Sequence, residues 1–333
     1  MNATRSDSIY YLMGIGIIVL WLFLTVAPAT HKDNIPQKEN VQTELTDVFS
    51  SSALPPHIIF VFYVAVIGGV GLGLITNFLL LVNKLVVKEK TLLRGVNLVP
   101  WTLSDIARMT VLFLFIFTVI HAVLYVCVTS SIISGRLISM GGLVVGTLGV
   151  YLIMACGMYR SLIKKYSLSV TSIGLSLHSW FGNALTGIVA YIAFVPVFLL
   201  LVVVSYVICG YFGISPQPHE LVKIFSVEKS AYKIIYLVLV ATVFAPLYEE
   251  IVFRGFIYTV LRKYLGVTQS LCMSAIIFGA IHFNMSQFIP VMGLGIILAY
   301  LYERTGTLIA PIVFHMLNNT VAILLTFLIL KNM

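Results

Sequence analysis

The chain has 333 residues, 60% of them hydrophobic and only 10% charged, with a formal net charge of +8. A mean hydropathy of +1.05, with several apolar runs near or above the roughly 20 residues that cross a hydrocarbon core, excludes an ordinary soluble domain. Only helices and closed barrels satisfy their own backbone polar groups in lipid, and the alternating pattern of a barrel is absent. The fold class is therefore all-α, a polytopic membrane helical bundle of about 8–9 transmembrane helices.

The first apolar run, residues 9–27, ends in Ala27-Pro28-Ala29-Thr30. The two alanines have the spacing of a signal-peptide cleavage site, but the run exceeds the roughly 7–15 apolar residues of such a peptide. It reads as an uncleaved first span. Residues 30–56 form a polar linker with Asp33, Glu39, Glu44 and Asp47 against Lys32 and Lys38. Further spans are expected at 57–83, 109–131, 138–158, 183–211, 233–263, 268–283, 288–303 and 307–330. The run 91–108 reads as interfacial, with Trp101 at headgroup level and Ser104 suited to cap the next helix.

Charge sets the orientation. Lys84, Lys88, Lys90 and Arg94 share one short loop, Arg160, Lys164 and Lys165 another, and Arg262 and Lys263 end a later span. An amino terminus in the cytoplasm puts all three groups inside and the acidic linker outside, as the positive-inside rule requires. The basic balance thus reflects membrane topology, and no nucleic-acid partner is expected; the lipid bilayer is. The expected product is a multi-pass protein of the cell membrane. It is organised as 1–56 (first span and linker), 57–168 (accessory transmembrane module) and 169–333 (core). Cys127, Cys156, Cys209 and Cys272 lie singly in apolar runs without CxxC spacing, so they read as small buried hydrophobes and not as a disulfide framework or metal site.

The chemistry concentrates in Pro246-Leu-Tyr-Glu249-Glu250-Ile-Val-Phe-Arg254-Gly255. Ionisable groups at membrane depth are costly unless paired, and are read first as functional. At about 1.5 Å per residue, Glu250 lies ~20 Å from the Lys263 end of its helix. By the same rise His282 lies ~21 Å along the next helix, and His315 and Asn319 lie ~12 and ~18 Å along the last. Separate helices therefore bring carboxylates, histidines and an amide to similar depth. Glu250 and Arg254 are four apart and can pair on one face, while Glu249 is turned about 100° away. Phe278 with His282, and His315 with Asn319, share faces in the same way. Pro246 should disturb the backbone beside the glutamates and open the helix toward a cavity.

A glutamate with a histidine can deprotonate water and return the proton to a leaving group, while a second histidine and an amide can donate to an oxyanion. No Gly-x-Ser-x-Gly elbow competes with that chemistry. Zinc held by Glu249, His282 and His315 is the alternative, with water in the fourth position. Asn319 suits an oxyanion better than zinc, so no cofactor is expected. From other classes, a proton-coupled transporter or channel would use Glu249, Glu250 and His282 as a relay, and a catalytically silent membrane binding or immunity protein would keep the cluster for stability.

Glu249-Glu250-x-x-x-Arg254, Phe278-x-x-x-His282 and His315-x-x-x-Asn319, in this order and each in its own apolar segment, resemble the motifs of the CPBP family. That family comprises the type II CAAX prenyl endopeptidases and the bacteriocin-processing or Abi-type intramembrane proteases, described both as metalloproteases and as glutamate proteases. The resemblance covers residues 170–330, including Gly174-Leu175 and Pro216-Gln-Pro-His-Glu-Leu-Val. It implies an intramembrane endopeptidase acting on a membrane protein or lipidated peptide. Glu249 would activate water with His282, His315 and Asn319 would form the oxyanion site, and Glu250 and Arg254 would support or position substrate. Processing of CAAX termini or of bacteriocin-like peptides is the activity implied. The first 170 residues depart from the compact family core.

Overall fold

The computed structural model describes residues 67–80, 96, 99–129, 149, 151–214, 220–228, 230–282 and 284–330. The expected first span at 9–27, the linker 30–56, the basic loop 84–94 and the 216–219 part of the Pro-rich stretch lie outside them. Among the described residues there is no strand. Helix α1 is Ile67–Leu80, α2 Leu103–Thr129, α3 residues 151–158, α4 Trp180–Tyr211, α5 Glu220–Val227, α6 Ala231–Ala280, α7 Met285–Thr305 and α8 Ile309–Leu330. Helices α4, α6, α7 and α8 are long and apolar enough to cross a membrane. The chain is an all-α integral membrane protein.

The described residues divide into two compact units, one within 101–165 and the other comprising the described parts of 54–100 and 166–332. In the first, Asp105 accepts from the Thr102 backbone N–H at 3.0 Å and pairs with Lys165 at 3.2 Å. Cys156 in this unit is exposed on its helix, and so is Cys272 in the other; of the described cysteines only Cys209 is buried. The expectation of burial fails at the first two because an outward face in a membrane bundle tolerates a small apolar side chain without protein around it.

The second unit contains the C-terminal helices. Helix α1 packs on α4. Asn77 donates to the Ala193 carbonyl at 2.7 Å, beside the interruption that Pro196 makes in the α4 ladder. The α6–α7 contact is built on small residues, since a Cβ at Gly295 would stand 2.9 Å from Ala275 Cα, and only glycine permits that approach. Around it Phe194, Phe253, Phe278, Leu294, Leu298 and Phe314 form one apolar cluster.

Helix α6 is not uniform. Val240–Phe244 and Ile251–Tyr258 are π-helical, flanking a short α stretch at Ala245–Glu250 that begins with Pro246 near its first position. The missing proline N–H removes one α-type bond, and the turn upstream widens. At Gly266 the backbone leaves the helix altogether (φ 77°, ψ −175°), a region open essentially to glycine alone, so the expected turn between 263 and 268 is a kink centred there. Gly174 closes the 3₁₀ turn Val170–Ile173, and its carbonyl receives the Leu308 N–H at 2.9 Å and the Thr307 hydroxyl at 3.1 Å. The start of this region is thereby tied to the start of α8.

Candidate active site

The polar centre stands where α6, α7 and α8 meet. Glu250 and Arg254 are both fully buried, and the guanidinium donates to Glu250 Oε1 at 2.8 Å. Arg254 also donates to the Gly295 carbonyl of α7 at 3.1 Å and lies 4.6 Å from the Phe278 ring centroid. A buried ion pair is tolerable only with such further bonds, because desolvating two charges otherwise outweighs their attraction. The i,i+4 pairing expected from sequence is present.

His315 reaches the same carboxylate from α8, with Nδ1 2.8 Å from Glu250 Oε1. Its other nitrogen, Nε2, is 3.8 Å from Oε2 of Glu249. Glu249 keeps 23% of its side chain exposed, against none for Glu250, so the two adjacent carboxylates occupy different environments. One faces an accessible space and the other is sealed into the bundle.

His282 closes the C-terminal end of α6, where Nδ1 lies 2.7 Å from the Phe278 carbonyl. A carbonyl only accepts, so Nδ1 carries the hydrogen and Nε2 of the neutral ring is left as an acceptor. Phe278 is fully buried and stands edge-on to both histidines, with centroid distances of 4.9 Å to His282 and 5.8 Å to His315. Asn319, one turn beyond His315, donates to the Ala241 carbonyl within the first π stretch at 2.9 Å.

The structure therefore brings Glu249, Glu250, Arg254 and His315 into one contact network. Phe278 and His282 border it, and Asn319 is anchored beside it. Sequence reading missed the Gly295 and Ala241 carbonyls, since any residue supplies a carbonyl. It also missed a second buried polar group, in which Tyr258 donates to Glu303 at 2.7 Å and Arg262 bonds both Glu303 oxygens at 3.3 Å. The signal was available, because Glu250, Arg254, Tyr258 and Arg262 recur at every fourth position.

Among the described residues no three His, Cys, Asp or Glu side chains are grouped as a metal ion would require. Nδ1 of His282 is engaged by the Phe278 carbonyl and Nδ1 of His315 by Glu250, so only the Nε2 atoms of these two rings could serve as ligands beside Glu249.

A bundle of membrane-length helices around a buried Glu–Arg–His network defines a membrane-embedded protein with a polar reaction-like centre. Comparison with known proteins narrows this, since residues 231–321 match the family model described as type II CAAX prenyl endopeptidase Rce1-like. Over 140 residues the chain is 32% identical to the "Membrane-embedded CAAX protease MroQ" of Staphylococcus aureus (strain USA300), covering 39% of this chain and 54% of that one. Over 89 residues it is 28% identical to the "Putative membrane peptidase YdiL" of Bacillus subtilis (strain 168), covering 27% of this chain and 36% of that one. The chain thus spans about half the length, or less, of these curated relatives. No solved structure matches it.

Proposed function

We propose that the protein is a membrane-embedded endopeptidase that hydrolyses a peptide bond near the membrane with water activated by Glu249. The observation that carries this reading is the contrast between the adjacent carboxylates: Glu249 is partly open with His315 Nε2 3.8 Å away, while Glu250 is sealed against Arg254. An accessible carboxylate beside histidines is what general-base attack of water needs.

In this mechanism Glu249 takes a proton from water that also donates to Nε2 of His282. The water oxygen bonds to the peptide carbonyl carbon, and the carbonyl π electrons move onto oxygen. His315 and the second amide hydrogen of Asn319 face that oxyanion. Donation from His315 Nε2, with Nδ1–H already given to Glu250, needs both ring hydrogens. Two carboxylates against the single Arg254 guanidinium balance that positive charge. Collapse of the intermediate breaks the C–N bond, and Glu249 returns its proton to the leaving amine. No metal enters any step.

The names of the matching family and of the Staphylococcus relative support a CAAX-type substrate, a lipidated or membrane-bound peptide processed at its carboxyl end. Basic groups at Arg160, Lys164, Lys165, Arg262 and Lys263 support cytoplasmic placement of those helix ends in a cell membrane, with the amino terminus also inside. The test is cleavage of paired synthetic peptides, with and without a prenylated cysteine four residues from the C terminus, by the purified full-length protein in lipid vesicles. Release of a C-terminal tripeptide from the prenylated member supports the CAAX assignment. Cleavage of neither peptide contradicts it.

A further inference from the structure

We propose that Glu250 is a positioning residue that acts through His315, holding the ring by its Nδ1–H so that the Nε2 edge is turned to Glu249 and the reacting atoms. The inference rests on the peptidase reading and deepens it. Resemblance to other proteins gave Glu250 a supporting place beside Arg254. The structure adds a link that sequence spacing could not show, because the two residues are 65 positions apart.

Glu250 Oε1 receives Arg254 NH1 at 2.8 Å and stands 2.8 Å from His315 Nδ1, while Oε2 has no hydrogen-bond partner. A carboxylate held against a guanidinium is an acceptor only, so the short contact requires the hydrogen to be on Nδ1 of His315. Nitrogen Nε2 is thereby left as the working edge, and it is the nitrogen on the Glu249 side.

The ring has little freedom to choose otherwise. His315 is 3% exposed, and Phe278 stands edge-on to one side of it. Phe278 also lies against Arg254, whose second amino group is fixed by the Gly295 carbonyl. Helix α7 thus fixes Arg254, Arg254 fixes Glu250, and Glu250 fixes the Nδ1 hydrogen and the tilt of His315. A carboxylate orienting an imidazole by its far nitrogen is a recurrent device for aiming the near one. Here both carboxylates come from adjacent positions of one helix, the first addressing substrate and the second addressing the histidine.

The test uses full-length protein in lipid nanodiscs with ¹⁵N-labelled histidine, the His315 signals being identified by their loss in His315→Asn. The double variant Glu250→Leu/Arg254→Met removes both charges together and leaves no buried ion unpaired. In the wild type, Nδ1 should show the shift and one-bond coupling of a protonated nitrogen. In the double variant that hydrogen should leave Nδ1, with kcat falling on the order of 100-fold and KM little changed. A protonated Nδ1 persisting in the double variant, or an unchanged kcat, would overturn the proposal. Should the double variant fail to fold, Nδ1-methylhistidine placed at position 315 removes the same donor without touching α6. It should give the same loss of kcat, and wild-type kcat there would again overturn the proposal. Failure of the peptidase reading is distinguishable, because it appears as absent turnover in the wild type while the Nδ1 signal is read without substrate.

Discussion

Nε2 of His315 lies 3.8 Å from Oε2 of Glu249, the one carboxylate of the adjacent pair that keeps part of its surface open. Its neighbour Glu250 is closed off completely and paired to Arg254. The two glutamates should therefore respond differently to substitution. Glu249→Gln gives up only the longer, partly open contact with His315 and should change stability by less than about 1 kcal/mol. Glu250→Ala strands a buried guanidinium and should cost about 3–5 kcal/mol. Thermal unfolding in one detergent compares them, and equal melting temperatures would show that the environments are not as unlike as described.

The close approach of α6 and α7 gives a second expectation. A Cβ on Gly295 would stand 2.9 Å from the Ala275 backbone and 3.4 Å from the Phe278 ring, and the Gly295 carbonyl is the anchor of Arg254. Gly295→Ala should destabilise by about 1–3 kcal/mol through overpacking and lower turnover as well. Gly210 in α4 has no atom within 4 Å of the corresponding position. Gly210→Ala should raise helix stability by roughly 0.5–1 kcal/mol, so the two variants should melt on opposite sides of wild type.

Asn319 ties α8 to the π-helical stretch just before the glutamates through the Ala241 carbonyl. Asn319→Ala should lose about 1–3 kcal/mol, because a carbonyl in a water-poor interior is left without its donor. It should also lower kcat more than it raises KM, since in the proposed mechanism the amide donates to the developing oxyanion. A variant with reduced stability and full turnover would confine Asn319 to the structural part.

Turnover should withstand metal removal. No group of described side chains is arranged to hold a metal, and each proposed step is carried by Glu249, His282, His315 and Asn319. Dialysis against a strong chelator should leave cleavage unchanged, with metal analysis showing well below one equivalent of zinc. Loss of cleavage restored by added zinc would contradict the mechanism.

Much of the site was legible in the sequence because its members are rare there. Glu249, Glu250, Arg254, His282 and His315 stand out in a chain only 10% charged, and a uniform helical rise was enough to bring them to one depth. The i,i+4 pair followed from spacing alone. What spacing could not provide was rotation between helices, so the contact of His315 with Glu250 was not foreseen. The π-helical turns were invisible for a related reason: they depend on where the ladder yields around Pro246, and composition does not encode that. The packing of Ile67–Leu80 on α4 was missed because it rests on one amide donating to one backbone carbonyl.

The central claim is that Glu249 activates the water that cuts a peptide bond. The most direct measurement is single-turnover cleavage of a prenylated CAAX peptide by purified wild-type protein and Glu249→Gln in the same vesicles, with melting curves confirming equal folding. The account predicts a cleavage rate about 10²–10⁴-fold lower in the variant, with peptide binding retained. A well-folded Glu249→Gln protein that cleaves at the wild-type rate would contradict it.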